Sequence, residues 1–302
     1  MLYENNQTKK GFLELMEEGP LMAPCVYDCV SARLVENAGF KAMCLSGGEL
    51  AASLCGFPDI GLVTLDELVG AVERISSCTS IPMIVDIDTG FGNEINLIRT
   101  CKRVAKAGAK AVHLEDQTFP KRCGHMSGKE VISRKDYIAK VKAAKYALEG
   151  TDCLLIARTD SYFTDGLDEA IYRNLASLEA GADITLTEGT RSVDDIEKIA
   201  RMVPGWKMFG MNSMGASPKV TFDELVEMGY QLVTCHFAKV GAIKGITKLG
   251  EYAFKEGHDF HNLEEGYDNF KSHEMFGIHE WYALAKRFNP DIKDAEPVKA
   301  EV

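Results

Sequence analysis

Acidic residues cluster at the ends of two neighbouring predicted strands. Asp86 and Asp88 end the run IPMIVDID, and Glu115 ends the run AVHLE. Residues two apart on a strand share a face, so we expect the two aspartates to project together, with the glutamate beside them. Carboxylates this close raise one another's pKa values unless a cation lies among them. A ligand set made only of oxygen atoms favours Mg²⁺ or Mn²⁺ over zinc. The pattern predicts a metal site; the alternative is that these acids only cap helix N-termini.

A short segment after the fourth predicted strand combines two cations, a thiol and an imidazole. It consists of Lys121, Arg122, Cys123, Gly124 and His125. Positive neighbours lower the pKa of a thiol and make it a proton donor or nucleophile near neutral pH. The segment therefore predicts a reactive cysteine on a loop. The alternative is a solvated basic loop that holds an incidental cysteine.

Two further strand ends carry groups that suit an anion. Arg158 ends the run CLLIAR, where a buried guanidinium is costly unless it meets a carboxylate. The alternative is an internal ion pair with Asp160 or Glu188. Gly47 and Gly48 follow the second predicted strand, and glycines there let backbone N–H groups approach an anionic oxygen.

The elements that position these groups alternate regularly along the chain. Eight short apolar runs are separated by amphipathic stretches such as TLDELVGAVERIS. This alternation predicts an α/β fold, a TIM-type (β/α)₈ barrel over residues 1–255, with chemistry at the carboxyl ends of the strands. No GxGxxG follows the first run, which disfavours an open nucleotide-binding sheet. Residues 256–302 predict extra helices that pack on the barrel or are swapped to a neighbouring subunit.

Composition narrows the possible setting and partners. The 302 residues carry a net charge of −11, which argues against nucleic acid and anionic membranes as partners. The nine cysteines form no CxxC pair, and the first residues form no apolar segment of the kind that signal peptides contain. We expect a cytoplasmic protein with reduced thiols.

Several motifs occur in the order found in one known superfamily. VYDCVSARLVENAGF, LSGGELAASLCGFPDIG, VDIDTGFG, HLEDQ, KRCGH, IARTD and EAGAD span roughly residues 20–240. The chain resembles the isocitrate lyase and phosphoenolpyruvate mutase superfamily. The resemblance implies a Mg²⁺-dependent enzyme that acts on a small dicarboxylate, and a homotetramer that exchanges C-terminal helices.

The resemblance also implies roles for individual residues. Cys123 is the acid that protonates a carbanionic product, and Arg122 and His125 stabilise an enediolate. Tyr27 lies near the 2-oxygen of the substrate, and either Tyr27 or a metal-bound hydroxide is the base. The implied metal residues are Asp59, Asp86, Asp88 and Glu115, and the implied substrate residues are Ser46, Gly47, Gly48, Gly124, Arg158, Glu188 and Asn212.

Differences among branches of the superfamily narrow the implied activity. The cysteine loop argues against phosphonate chemistry, and the chain is too short for the long isocitrate lyases. Methylisocitrate lyases carry an arginine after the eighth strand, where this chain has residues 236–241 with Lys239 as the nearest cation. The seventh-strand loop, residues 211–218, looks shorter than theirs. The chain is most similar to the 2,3-dimethylmalate lyases, which implies retro-aldol cleavage of a 2-hydroxy dicarboxylate to pyruvate and propionate.

Three alternatives remain open. The chain could be an oxaloacetate hydrolase or decarboxylase, or a methylisocitrate lyase. It could also be a structural or regulatory barrel subunit without activity.

Overall fold

A computed structural model describes residues 10–212, 214–261 and 269–296. Eight parallel strands close into a barrel in chain order, which confirms the predicted (β/α)₈ fold. The strands are β1 (Leu21–Val26), β2 (Met43–Leu45), β3 (Met83–Asp86), β4 (Ala111–Glu115), β5 (Leu154–Thr159), β6 (Ile184–Thr187), β7 (Trp206–Met211) and β8 (Leu232–Cys235).

Helices precede the barrel and connect its strands. They are α1 (Phe12–Glu18), α2 (Cys29–Asn37), α3 (Gly47–Leu50), a π-helical turn (Ala51–Cys55), α4 (Leu65–Cys78), α5 (Glu94–Ala107), α6 (Arg134–Leu148), α7 (Ser161–Thr164), α8 (Leu167–Glu179), α9 (Val193–Met202) and α10 (Phe222–Met228). Local sequence fixes several helix ends. Thr64 and Thr221 form capping boxes at the starts of α4 and α10, and Gly229 ends α10 with φ +99°.

Apolar side chains fill the barrel and the layer between strands and helices. Leu45, Leu114 and Ile84 are fully buried, and each contributes about 1.5–3 kcal/mol by leaving water. Polar residues replace them at the carboxyl ends of the strands. The parallel register pairs Asp86 with His113 and Glu115 with Arg158, so four polar groups from three strands meet at one end of the barrel.

The chain divides into two compact units, and the barrel unit ends at Ala238. The second unit contains most of α11 (Ala238–Glu256), with α12 (Asn269–Met275) and α13 (Ile278–Lys286). The predicted boundary at residue 255 lies near the end of α11, and parts of the predicted extension, residues 262–268 and 297–302, lie outside the described residues. Within the described ranges, no helix combines the length and apolar character needed to cross a bilayer.

Candidate active site

One cavity opens among the carboxyl ends of the strands and collects most of the predicted site residues. Its volume is about 80 Å³, which suits a small organic acid and not a nucleotide. The predicted residues that line it are Ser46, Gly48, Asp59, Asp86, Cys123, Gly124, His125, Arg158, Glu188 and Asn212. The metal, anion and thiol motifs of the sequence therefore meet at a single site.

Three more predicted residues lie directly behind the cavity wall. The backbone N–H groups of Gly47 and Asp88 donate to the two carboxylate oxygens of Asp86, at 3.3 and 3.1 Å. Glu115 Oε2 lies 3.3 Å from Arg158 Nη2. These contacts orient Asp86 and Arg158, which both face the cavity.

Two predicted catalytic residues are placed differently. Tyr27 lines a separate pocket, together with Ser53 and Arg74. The Arg122 side chain is exposed, and its backbone forms two hydrogen bonds with the Gln117 side chain, at 2.9 and 3.0 Å. Neither Tyr27 nor Arg122 is among the described residues that line the cavity.

A lysine that the sequence placed beside the thiol instead lies among the acids. Lys121 is 2% exposed, and its Nζ lies 2.6 Å from Asp59 Oδ1 and 2.8 Å from Asp88 Oδ1. Burial opposes the charge on Lys121, but the surrounding carboxylates outweigh burial and raise its pKa well above the ordinary value. The protein thus supplies one cation of its own to this acidic cluster.

Burial changes the pKa values of the acids in this cluster. Burial raises the pKa of Asp88 to about 6 despite the nearby Lys121 ammonium. Burial likewise raises the pKa of Glu115 well above its usual range, against the pull of Lys121 and Arg158. The predicted rise is present for Asp88 and Glu115, and burial is its largest cause. Burial also opposes ionisation of Asp86, but His113, Lys121 and Arg158 outweigh burial and lower the pKa of Asp86.

The acidic cluster suits a hydrated cation better than a dry cage. Among the described residues, no three His, Cys, Asp or Glu side chains converge closely enough to hold a metal ion alone. Mg²⁺ commonly binds one or two protein carboxylates and keeps several waters. Asp86 faces the cavity, and Glu115 Oε1 is a buried oxygen with no hydrogen-bond partner among the described groups. These oxygen donors fit a hard, largely hydrated dication.

Arg158 is held by internal ion pairs, as the alternative interpretation of this residue expected. Its Nε donates to Asp160 Oδ2 at 2.8 Å and lies 4.0 Å from Glu188 Oε2. Lys129, which the sequence did not single out, also donates to Asp160, at 2.7 Å. Because Arg158 still lines the cavity, this network fixes the guanidinium in place and leaves it facing a ligand.

Cys123 lies on a loop that is bound to two other parts of the barrel rim. Its backbone N–H donates to Asp59 O at 3.1 Å. The neighbouring His125 contacts Glu188 and accepts a hydrogen bond at Nδ1 from the Ala216 N–H, at 3.0 and 3.1 Å. Burial raises the pKa of the Cys123 thiol and outweighs the lowering by Arg158 and Lys121 that the sequence led us to expect from nearby cations. A thiol that stays protonated suits an acid and not a resting nucleophile.

His113 is a polar member of the cavity wall that sequence analysis missed. It is 5% exposed, its Nδ1 lies 3.8 Å from Asp86 Oδ1, and neither ring nitrogen has a hydrogen-bond partner among the described groups. Burial lowers the pKa of His113, which favours a neutral ring facing the ligand space.

Comparison with known proteins assigns this chain to a family. A family model described as phosphoenolpyruvate phosphomutase matches residues 12–245. The chain belongs to the phosphoenolpyruvate mutase/isocitrate lyase superfamily. This assignment agrees with the resemblance carried by the sequence motifs, and relatives named as lyases make this superfamily member a carbon–carbon lyase.

Individual relatives of this superfamily member carry different names. It is 38% identical to 2,3-dimethylmalate lyase of Eubacterium barkeri over 70% of this chain and 73% of that protein. It is 36% identical to 2-methylisocitrate lyase of Aeropyrum pernix over 93% of this chain and 91% of that protein. A solved structure of oxaloacetate acetylhydrolase superposes with a TM-score of 0.87 at 30% identity, covering 93% of this chain and 96% of the other. These relatives carry three different activity names, so the choice of substrate has to be argued from the residues of the site.

Proposed function

We propose that this protein cleaves a 2-hydroxy dicarboxylate, with 2,3-dimethylmalate as the best candidate, to pyruvate and a second carboxylic acid. The observation that carries the proposal is the joint lining of one small cavity by Cys123, Asp86 and Arg158. Together they provide a protonated thiol, a carboxylate for a cation and a fixed guanidinium. Carbon–carbon cleavage with protonation of the leaving carbon needs each of these groups.

Substrate binding uses the anion-directed groups of the cavity. Ser46 and Gly48 lie at one wall, and Arg158 lies at another. A β-carbon on Gly48 would stand 2.7 Å from Asp59 Oδ2, so only glycine lets the chain pass this close to the acidic cluster. We assign the carboxylate of the pyruvate half to the backbone of α3 and to Arg158.

The implied metal is Mg²⁺, with Mn²⁺ as an alternative, and Asp59, Asp86, Asp88 and Glu115 are the residues that would hold it, partly through water. When bound, the cation supplies Lewis-acid stabilisation of negative charge on the oxygens of the pyruvate half. The Lys121 ammonium contacts both Asp59 and Asp88 and adds a positive charge of the protein beside them.

The chemical step follows from where negative charge develops. Loss of the proton on the 2-hydroxyl lets C2–O become a carbonyl while the C2–C3 bond breaks. The electron pair passes to the leaving group as an enediolate, and His125 lines the cavity in which this charge develops. Cys123 donates its proton to the former C3, which forms propionate in the case of 2,3-dimethylmalate. Only one thiol proton and one hydroxyl proton change places, so the reaction needs no oxidant.

The wall at the end of β8 favours a substrate with two carboxylates over one with three. The residues that face the cavity there are Thr234 and His236, and neither is an arginine. A third carboxylate would need a further cation at that wall. This argues for a dicarboxylate and against 2-methylisocitrate.

Oxaloacetate hydrolysis is the second candidate, because the oxaloacetate acetylhydrolase structure superposes over most of this chain. The test is to incubate the purified protein with Mg²⁺ and each of four acids: 2,3-dimethylmalate, citramalate, 2-methylisocitrate and oxaloacetate. Pyruvate, oxalate and acetate are measured. We expect pyruvate from 2,3-dimethylmalate at the highest kcat/KM. Oxalate from oxaloacetate would establish the hydrolase instead. A protein that cleaves none of the four acids would overturn the proposal.

We also propose a homotetramer whose C-terminal helices are exchanged between subunits. Apolar side chains on α11 support it: Ile246 is 72% exposed and Phe254 is 94% exposed in the single chain. Such side chains are typical of helix faces that another surface covers. Light scattering after size exclusion tests the proposal, and a monomer of 33.2 kDa at micromolar concentration would contradict it.

A further inference from the structure

Three side chains that the proposed chemistry leaves unused form a hydrogen-bonded line at the edge of the cavity. His236 follows β8, and its Nδ1 lies 3.0 Å from Glu49 Oε1 on α3. On the other side of the ring, His236 Nε2 lies 3.7 Å from Cys25 Sγ on β1. Barrel closure between β8 and β1 brings these residues together, although 187 residues separate His236 from Glu49.

The glutamate fixes the orientation of the imidazole. Glu49 is 1% exposed, and its Oε2 has no hydrogen-bond partner among the described groups. A buried carboxylate accepts hydrogen bonds, so Nδ1 of His236 carries the hydrogen and donates it to Glu49. Nε2 then holds the lone pair of the ring, 3.7 Å from Cys25 Sγ. An imidazole backed by a carboxylate in this way is the usual arrangement of a general base.

Two members of this line reach the ligand space. His236 and Cys25 line the same cavity as Asp86, Cys123 and Arg158. The His236 side chain is 25% exposed, so the ring is accessible from the cavity while its Glu49 partner is buried. The cavity therefore holds a thiol acid at one wall and a carboxylate-backed imidazole at another.

The base is the role that the proposed reaction still lacks. Tyr27 lines a different pocket, and burial, with Asp28 and Glu49 nearby, raises the pKa of its phenol. A phenol that resists ionisation is a poor base near neutral pH. His236 lines the cavity, and Tyr27 is not among the described residues that line it.

We propose that His236 is the general base that removes the proton from the substrate hydroxyl, and that Glu49 is its positioning residue. This proposal rests on the proposed lyase function. His236 Nε2 takes the hydroxyl proton, the C2–C3 bond breaks, and Cys123 protonates the leaving carbon. The proton on His236 then returns through water to the Cys123 thiolate, which restores both groups and balances the cycle.

Other titratable groups near the ring stay protonated, so they do not compete for the base role. A hydrogen bond with Cys44, followed by burial, raises the pKa of Cys25 well above the ordinary thiol value. Burial raises the pKa of Cys235 to about 11, with a contribution from Glu49. Among the described residues, the acidic side chain in contact with His236 is Glu49.

The test compares the full-length wild-type protein with H236A, H236Q, E49Q and the control H279Q on the substrate that the wild-type protein cleaves best. General base catalysis contributes about 10²–10⁴-fold, so we expect kcat to fall at least about 100-fold in H236A and to recover partly when imidazole is added. The dissociation constants of H236A for Mg²⁺ and for pyruvate should stay within threefold of the wild-type values, because binding of neither ligand needs the base. H236Q provides the same comparison if H236A does not fold.

E49Q separates a base from a merely structural histidine. A carboxylate beside an imidazole favours its protonated form, so E49Q should move the acid limb of the kcat/KM profile to lower pH. The control H279Q, whose side chain is 59% exposed on α13, should keep kcat within threefold of the wild-type value. An active wild-type protein whose H236A and H236Q variants keep their turnover would overturn the base assignment. A wild-type protein that cleaves none of the four acids would contradict the proposed function instead.

Discussion

Gly124 packs directly against the guanidinium of Arg158. A β-carbon at position 124 would stand 2.5 Å from Arg158 Nη2 and 2.5 Å from Glu188 Cγ. The cysteine loop therefore reaches the anion-binding groups only because residue 124 lacks a side chain. This contact links the position of the Cys123 thiol to the ion-pair network of β5 and β6.

Gly124→Ala should displace the loop and lower turnover. The methyl group must push away either the loop or the paired Arg158 and Glu188, since 2.5 Å is far inside van der Waals contact. We expect kcat/KM to fall at least about 100-fold, because small misplacements of catalytic groups cost that much. Gly11→Ala is the matched control, since no atom lies within 4 Å of a β-carbon there. Equal activity of the two variants would contradict this account of the loop.

Cys123→Ser should lose most lyase turnover and still fold. A hydroxyl is a far weaker acid than a thiol, so we expect kcat to fall about 10²–10⁴-fold while affinity for Mg²⁺ and pyruvate persists. Steady-state kinetics and calorimetric titration with pyruvate measure the two quantities. Cys153→Ser is the control, because Cys153 is buried outside the cavity. Turnover at the wild-type level in Cys123→Ser would remove Cys123 from the acid role.

Chelation should abolish activity reversibly. The oxygen donors fit a hard cation, so we expect no turnover in EDTA, recovery with Mg²⁺ or Mn²⁺, and none with Ca²⁺, which prefers more ligands and longer bonds. Asp86→Asn should raise the Mg²⁺ concentration needed for half-maximal activity, because Asp86 is the predicted ligand that faces the cavity. Full activity after thorough chelation would rule out the metal assignment.

Gln117→Ala should loosen the cysteine loop without unfolding the barrel. The Gln117 side chain donates to Arg122 O and accepts from the Arg122 N–H, at 2.9 and 3.0 Å. Losing both bonds should cost about 1–3 kcal/mol of local stability and lower kcat. Limited proteolysis should cut residues 118–130 faster in the variant. The interpretation fails if both the cleavage rate and kcat match those of the wild-type protein.

The sequence predicted the barrel because its signal is repeated and local. Each apolar run is too short for a helix and is followed by an amphipathic stretch, so eight weak signals support one topology. The acidic residues were also predictable, because Asp86, Asp88 and Glu115 follow one another at the ends of adjacent strands. The parallel register continues past the pairing of Asp86 with His113, and the Glu115 N–H donates to Asp88 O at 3.0 Å.

The positions of single side chains could not be predicted in the same way. Lys121 is adjacent to the cysteine loop in sequence, which suggested an effect on the thiol, but its long side chain reaches back to Asp59 and Asp88. The pairing of His236 with Glu49 depends on closure of the barrel, which no local pattern encodes. Gln117 did have a local signal, because it follows Glu115 by two residues and its side chain contacts that glutamate.

The charge on Glu188 should make the free energy of unfolding of the barrel depend on pH. Burial opposes ionisation of Glu188, but Arg158 and His125 outweigh burial and hold its pKa below the ordinary value of 4.5. The folded state therefore favours the carboxylate, and this contribution to stability is present above the ordinary pKa and is lost as the pH falls below it.

At pH 7, Glu188→Gln should lower the free energy of unfolding by about 1–3 kcal/mol, since Arg158 and His125 each lose a charged partner. Urea titrations at about pH 7 and about pH 3.5 measure the difference, which should shrink at the lower pH. Glu227→Gln, at an exposed position on α10, is the control and should change neither value. A difference between Glu188→Gln and wild type that stays constant across this range would show that Glu188 acts through packing and not through its charge.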